Sequence, residues 1–241
     1  MRNHPLSIII PVFNEESRIE KAISELEKYL SGQNFSTQVI FVDDGSTDKT
    51  VRKIKELKPK LDFDVISYKP NRGKGYAIKQ GVASTHADYL LFCDVDMSTP
   101  LQEFNKFLPF IRKKIPVIIG TRKAFGAKIV ERQPYLRQKM GEVFTMLSNI
   151  LLRSSISDYT CGFKCFSGEA SEKIFSLAKI NRWSYDSEIL FLANKLGFKI
   201  TEVPVVWKND SRTKVNLFRD IIESFTDLLR IRLNDRAGHY D

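Results

Sequence analysis

Two carboxylates separated by one residue, Asp94-Val95-Asp96, follow directly on the apolar run Tyr89-Leu90-Leu91-Phe92-Cys93. A short apolar run that ends abruptly in charge fits a strand buried on both faces. Met97-Ser98-Thr99-Pro100 then breaks the run. The pair therefore falls where the strand unravels at the sheet's carboxyl edge, the edge at which open α/β sheets bind ligands. Two hard oxygen ligands there suit Mg²⁺ or Mn²⁺ carrying a diphosphate, because such ions are usually held by one or two carboxylates plus substrate phosphates. The competing reading is structural: Asp96 opens a turn and caps a helix after Pro100.

Two further clusters sit at comparable places. Asp43-Asp44-Gly45-Ser46 ends the run Gln38-Val39-Ile40-Phe41-Val42. Neighbouring carboxylates there could accept hydrogen bonds from the imide N–H of a base and from ribose hydroxyls, or could close an Asx turn and cap the next helix at Ser46 or Asp48. Asn71-Arg72-Gly73-Lys74-Gly75 sets two glycines beside two cations just before a helix, a combination able to approach a phosphate or base closely. Its spacing is neither that of a Walker loop nor that of a dinucleotide fingerprint.

The elements that must hold these clusters read in order. Strand-like runs at 6–10, 38–42, 65–68 and 89–94 alternate with helical patterns, the first of which carries Ile19, Ile23, Leu26 and Leu30 on one face. The order β-α-β-α-β-α-β implies a mostly parallel sheet with helices on both faces. After Pro100 come a helix through Phe104, Phe107 and Ile111, a strand Val117-Ile118-Ile119, and a basic stretch from Lys123 to Arg137. A helix from about Lys139 to Leu152, a strand at Cys165-Phe166 and a helix opening at Arg182 follow. Residues 199–207 read as one strand whose Pro204 points to a sheet edge or bulge. An amphipathic helix over 217–233 closes the chain. The expected division is a catalytic domain at 1–214 and a C-terminal helix and tail at 215–241.

Composition bounds the function. At 241 residues, 42% hydrophobic and 28% charged, the chain is an ordinary globular protein with a full core. Three cysteines make no disulfide framework, and three scattered histidines argue against structural zinc. No apolar stretch reaches the length of a membrane span and no signal-peptide pattern opens the chain, so a cytoplasmic protein with at most peripheral membrane contact is expected. A net charge of +9 calls for an anionic partner: nucleic acid, a membrane surface or a phosphorylated substrate. Nucleic acid is disfavoured, because no basic patch interleaved with aromatics of the RNA-binding kind is present.

Pro11-Val12-Phe13-Asn14-Glu15-Glu16, Val42 to Asp48, Asn71 to Gly75 and Asp94-Val95-Asp96 come in the order and spacing of family 2 glycosyltransferases with the GT-A fold, which the chain resembles over nearly its whole length. Gly120-Thr121-Arg122, Asp158 to Lys164, Arg182 to Glu188 and Glu202-Val203-Pro204-Val205 look more specifically like the branch that glycosylates polyprenyl phosphates, which holds dolichyl-phosphate β-glucosyltransferases and mannosyltransferases. The resemblance implies that Pro11, Phe13 and Glu15 line the nucleotide site, that Asp43 with Asp44 reads the base, and that Arg72 and Lys74 lie near the nucleotide. It implies further that Asp94 and Asp96 hold Mg²⁺ or Mn²⁺, and that Arg122 with Arg212 or Lys214 faces the acceptor phosphate. Three features depart from the pattern: Ser98 after the acidic pair, Ser211-Arg212-Thr213-Lys214 in place of Gly-x-Ser-Lys, and no membrane helix at either end.

A phosphate acceptor is already anionic, so it needs positioning arginines and a metal rather than a general base. In-line attack would give a β-linked product from an α-linked donor. A sugar hydroxyl acceptor would instead need a carboxylate, for which Asp158, Asp186 and Glu188 are the candidates, and these residues are also the expected acceptor contacts. Trp183-Ser184-Tyr185-Asp186 is closer to the glucosyl branch, which favours UDP-glucose over GDP-mannose. A sugar-1-phosphate nucleotidylyltransferase would carry a glycine-rich stretch where Pro11-Val12-Phe13-Asn14 stands.

Overall fold

The structure, a computed structural model, describes residues 4–58, 62–210, 212 and 217–241, with the side chains of 217–221 outside the description. Parallel strands β1 (Leu6–Val12), β2 (Thr37–Asp43), β3 (Asp64–Ser67) and β4 (Tyr89–Phe92) form one half of a seven-stranded sheet. Strands β5 (Val117–Thr121), β7 (Lys164–Ser167) and β8 (Ile200–Pro204) complete it in the order β3-β2-β1-β4-β7-β5-β8. β7 is antiparallel to both β4 and β5, and the remaining pairs are parallel. A two-stranded ribbon of β6 (Lys128–Glu131) and β9 (Val206–Lys208) lies outside the main sheet.

Successive residues of the strands point to opposite faces, and both faces are covered. On β1, Ile8 and Ile10 enter one apolar cluster with Ile19, Ile23 and Leu26 of helix α1 (Ile19–Leu30). Ile9 enters the other, with Ala77 and Ile78 of α3 (Lys74–Ala83), Ile174 of α6 (Gly168–Leu177) and Ile189 of α7 (Tyr185–Lys195). α2 (Thr50–Leu57) packs on α1 and seats Ile54 in the first cluster. The remaining helices are α4 (Leu108–Arg112), α5 (Tyr135–Leu152) and α8 (Leu217–Arg236), and Leu228, Ile231 and Tyr240 belong to the second cluster.

The alternating half forms as its pattern predicts, and Pro204 does close a strand at a sheet edge. Four details differ. The strand before Asp94 ends at Phe92, because residues 94–97 form a turn in which the Met97 N–H donates to the Asp94 carbonyl at 3.1 Å. The helix after Pro100 is a 3₁₀ segment over Leu101–Lys106 followed by α4. The single strand expected over 199–207 divides at Val205, whose N–H still donates to the Thr121 carbonyl of β5 while its own carbonyl accepts from the Lys128 N–H of β6, so that β9 leaves the sheet to pair with β6. The basic stretch contains a strand, β6, and the first three residues of α5.

Candidate active site

β1 has β2 on one side and β4 on the other, so strand order reverses at it and a crevice opens beyond the carboxyl ends. The Asp94–Asp96 pair, Asp43 and Asp44, and the 11–15 segment all meet at that edge. Pro11 lies within β1, and Phe13 to Glu16 lead away from it as a loop stitched to the 46–50 turn. There the Asn14 N–H donates to Ser46 Oγ at 2.9 Å, the Thr47 N–H to the Asn14 carboxamide oxygen at 2.7 Å, and the Glu15 N–H to Thr50 Oγ1 at 2.6 Å. The Glu15 carboxylate takes the Arg18 guanidinium at 2.9 Å.

The turn-closing reading of the acidic doublet is realised in the fold. Asp43 accepts from the Ser46 N–H at 3.0 Å and from Ser67 Oγ at 2.6 Å. Asp44 gathers the glycine loop, accepting from Asn71 Nδ2 at 2.7 Å and from the Arg72 and Gly73 N–H groups at 2.8 Å each. Gly73 has φ of +104°, and a Cβ there would stand 2.5 Å from the Asn181 carbonyl, so only glycine lets the 179–185 segment close on this loop. Arg72 stacks on the Tyr76 ring with 3.9 Å from its guanidinium carbon to the centroid.

Lys74 Nζ sits 2.5 Å from Asp94 Oδ1. Burial works against the Asp94 charge, but Lys74, and beyond it Lys164 and Arg122, hold its pKa below the ordinary value. Asp96 is pushed the other way, by burial and by the charge of Asp94, while one of its oxygens accepts from the Ser98 N–H at 2.8 Å. Two carboxylates near enough to repel, one already drawing an ammonium group, make an oxygen-donor pair that a divalent ion would fit. Among the described residues no third His, Cys, Asp or Glu joins them, which leaves the rest of a coordination sphere to diphosphate oxygens and water.

The antiparallel pairing of β4 with β7 supplies a contact that the sequence pattern does not reveal. Phe92 pairs with Lys164, and continuing that register sets Gly162 opposite Asp94. A Cβ at Gly162 would stand 2.0 Å from Asp94 Oδ2, so the glycine backbone forms the wall against which the carboxylate rests. The loop before β7 is fixed by Lys164, whose buried Nζ donates to the Cys161 carbonyl at 2.6 Å, the Tyr159 carbonyl at 2.9 Å and Asp186 Oδ1 at 2.5 Å.

Arg122, just beyond β5, is held by Asp158 in a two-pronged pair, Nε to Oδ2 at 2.7 Å and Nη2 to Oδ1 at 2.8 Å, with Asp158 fully buried. Burial acts to raise the Asp158 pKa, but the Arg122 charge and its hydrogen bonds outweigh it and lower the value to about 2. The guanidinium lies over Trp207 of β9, its carbon 5.1 Å from the ring centroid. Arg137 on α5, not singled out from sequence, is half-buried near both Arg122 and Asp96; burial and the Arg122 charge lower its pKa. No described carboxylate pairs with it. Asp186 is taken by Lys164. Glu188 does not reach the strand edge: it is fully buried and accepts from the Lys179 N–H at 2.9 Å, the Ile180 N–H at 2.8 Å and Tyr240 Oη at 2.5 Å. Arg212 pairs with Asp210, Nη2 to Oδ2 at 2.7 Å, and its carbonyl accepts from Arg18. Lys214, with Ser211 and Thr213, lies outside the described residues.

Residues 7–175 match the model of glycosyl transferase family 2. The chain belongs to that family. Two dolichyl-phosphate β-glucosyltransferases are similar to it: that of Dictyostelium discoideum is 32% identical over 97% of this chain and 75% of its own length. That of Saccharomyces cerevisiae is 32% identical over 98% and 76%. Among solved structures, glucosyl-3-phosphoglycerate synthase of Mycobacterium tuberculosis superimposes with a TM-score of 0.71 over 95% of this chain and 80% of that one, at 21% identity. The same enzyme with Mn²⁺, UDP-glucose and phosphoglyceric acid gives 0.69. The GT-A architecture and a glycosyltransferase activity are thereby established for the chain. The glycosyltransferase has no described helix long and apolar enough to cross a membrane.

Proposed function

We propose that this glycosyltransferase moves glucose from UDP-glucose to dolichyl phosphate or a related polyprenyl phosphate, with inversion, working peripherally at the cytoplasmic face of a membrane. The names of its relatives support the sugar and the acceptor. The observation that carries the reading is the state of the carboxylates. A hydroxyl acceptor needs a base, yet Asp158 is bound to Arg122, Asp186 to Lys164, and Glu188 to two backbone N–H groups and Tyr240. Cations, by contrast, converge on the crevice: Lys74, Arg122 and Arg137. Such a site suits a nucleophile that arrives already anionic.

In this reading Pro11, Phe13 and Glu15 border the nucleotide, and Asp43 and Asp44 turn their remaining lone pairs to base and ribose. Asp94 and Asp96 would hold Mg²⁺ or Mn²⁺, which when bound neutralises charge on the departing diphosphate. Lys74, on Asp94, adds positive charge beside the same diphosphate. Arg122 is aimed by Asp158, so its remaining amino group enters the crevice in a fixed direction and orients an acceptor phosphate oxygen behind the anomeric carbon. Arg137 supplies the second cation for that phosphate. No proton has to be removed from the nucleophile.

The protein with UDP-glucose, dolichyl phosphate and Mn²⁺ is expected to release free UDP and form a glucosyl phosphoryl lipid, identified by mass spectrometry, while GDP-mannose stays unused. Asp96→Asn and EDTA should each stop the reaction, the second reversibly on adding metal. Glucose recovered on a saccharide hydroxyl, or full turnover in EDTA, would overturn the reading.

A further inference from the structure

We infer that the outer face of α5, with the β6 strand and the neighbouring ridge of α8, is a docking surface for an anionic lipid bilayer. The inference rests on the proposed lipid acceptor and adds the part of the molecule that meets the lipid. α5 has two apolar faces rather than one. Its inner face, with Phe144, Leu151 and Leu152, packs on the core. Its outer face still exposes Leu136, Val143, Met146 and Ile150, residues spaced seven, three and four apart and therefore on one side of the helix. Packing on the domain accounts for the first set and leaves the second uncovered.

The neighbouring helix repeats this arrangement. α8 packs beside α5 through the rings of Phe144 and Phe225, whose centroids are 6.0 Å apart. Leu228 and Ile231 go to the core, while Ile222, Leu229 and Leu233 face out at spacings of seven and four. Phe125, in the turn before β6, has its whole side chain in solvent, and Ile129 and Val130 of β6 are exposed as well. An apolar surface spread over two packed helices, with further exposed apolar residues in the strand just before α5, is larger than the scattered exposure usual on a soluble protein.

Charge selects the occupant. Between Arg122 and Arg153 the chain carries seven Lys and Arg against Glu131 and Glu142 alone. Of these, Lys128, Arg132, Lys139 and Arg153 are exposed, while the Lys123 ammonium turns inward to donate to Thr145 Oγ1 at 2.9 Å. A second copy of the chain would bring the same excess of positive charge against itself across a two-fold interface, which is unfavourable. A bilayer surface of anionic headgroups over hydrocarbon matches both parts, since interfacial helices bury an apolar face among headgroups and gain from basic flanks. The placement also fits the crevice: Arg137 lies in the first turn of α5, and Trp207, under the Arg122 guanidinium, belongs to the strand paired with β6. A lipid phosphate lying among headgroups would meet the cations of the crevice without leaving the bilayer.

The test uses the full chain and sedimentation with vesicles of phosphatidylcholine, with and without phosphatidylserine, in the absence of donor and acceptor. Wild type should bind the mixed vesicles and lose affinity steeply as salt rises. A Met146→Asp/Ile150→Asp double variant should lose at least tenfold in affinity, and Lys128→Glu/Arg132→Glu roughly fivefold or more per cation. Both pairs lie on the solvent face, so circular dichroism and turnover of a short, water-soluble isoprenyl phosphate should match wild type. Failure of wild type to bind at low salt, equal binding by the variants, or a wild-type dimer that the variants dissolve would overturn the docking surface. Loss of turnover with the soluble acceptor in every protein, wild type included, would instead count against the proposed acceptor.

Discussion

Replacing Gly162 by alanine should abolish sugar transfer while the fold survives. The new methyl would stand 2.0 Å from Asp94 Oδ2 and 2.6 Å from Cγ, far inside contact distance. Gly162 is held from both sides, by Lys164 on the Cys161 carbonyl and by the Gly120 N–H donating to the Phe163 carbonyl at 2.8 Å. The backbone is therefore the fixed party and the carboxylate the movable one. Asp94 must swing away, giving up both Lys74 and its place beside Asp96. A displacement of about 1 Å at reacting groups costs on the order of 100-fold, and this one removes a proposed metal ligand outright. Mn²⁺ binding in the presence of UDP, followed by electron paramagnetic resonance, should be lost, whereas the melting temperature should move little because a partly exposed side chain absorbs the clash. Wild-type Mn²⁺ binding by Gly162→Ala would show that Asp94 does not hold the metal.

Asp158→Ala should have the largest effect on stability of any single change at the site. It strands the Arg122 guanidinium, whose side chain is 15% exposed, without its counter-charge. Removing one partner of a buried pair typically costs about 3–5 kcal/mol. Urea unfolding of Asp158→Ala against wild type measures it, and coincident midpoints would show that the pair does not stabilise the fold. The same pair sets an acid limit. The folded pKa of Asp158, about 2, lies below the ordinary 3.8, so its contribution is present in full above pH 4 and is lost as pH falls from there toward 2. That contribution amounts to about 2–3 kcal/mol from the size of the shift. The wild type should weaken through this window, and Asp158→Asn, lower in stability at neutral pH, should show a flatter acid profile.

The strand-edge carboxylates were legible because each of their strands is apolar on both faces and stops at a breaker, a pattern that local chemistry alone produces. Asp43, Asp44, Asp94 and Asp96 could be placed at one edge from that pattern and the parallel topology it implies. Gly162 could not be, because its role depends on β7 entering the sheet antiparallel between β4 and β5, a pairing between segments distant in sequence. The fates of Asp158, Asp186 and Glu188 were hidden for the same reason: each is decided by a partner, Arg122, Lys164 or Tyr240, that the fold brings in from 22 to 52 residues away. Arg137 was submerged in a basic stretch whose composition is uniform but whose members face different ways. The break at Val205 is a change of partner, its N–H donating to Thr121 of β5 and its carbonyl accepting from Lys128 of β6, and no local preference encodes either.

The insertion of β7 has a further consequence, in the order in which the molecule can be assembled. β1, β2 and β3 find their sheet neighbours among residues 6–92, so that half of the sheet can form as soon as those residues are available. The far edge of β4 has no partner until Lys164 to Ser167 arrive, and β5 cannot join the sheet before then either. A chain growing from its N-terminus therefore carries an open, apolar strand edge through the synthesis of some seventy further residues, the condition in which strands pair with the wrong chain. Fragments that stop short of Lys164 should accordingly aggregate where fragments reaching past β8 do not. The side of the crevice proposed for the nucleotide can be built early. The Asp94 side has its wall only when Gly162 has been delivered, so the growing chain completes the strand edge proposed for the nucleotide before it completes the pair proposed for the metal.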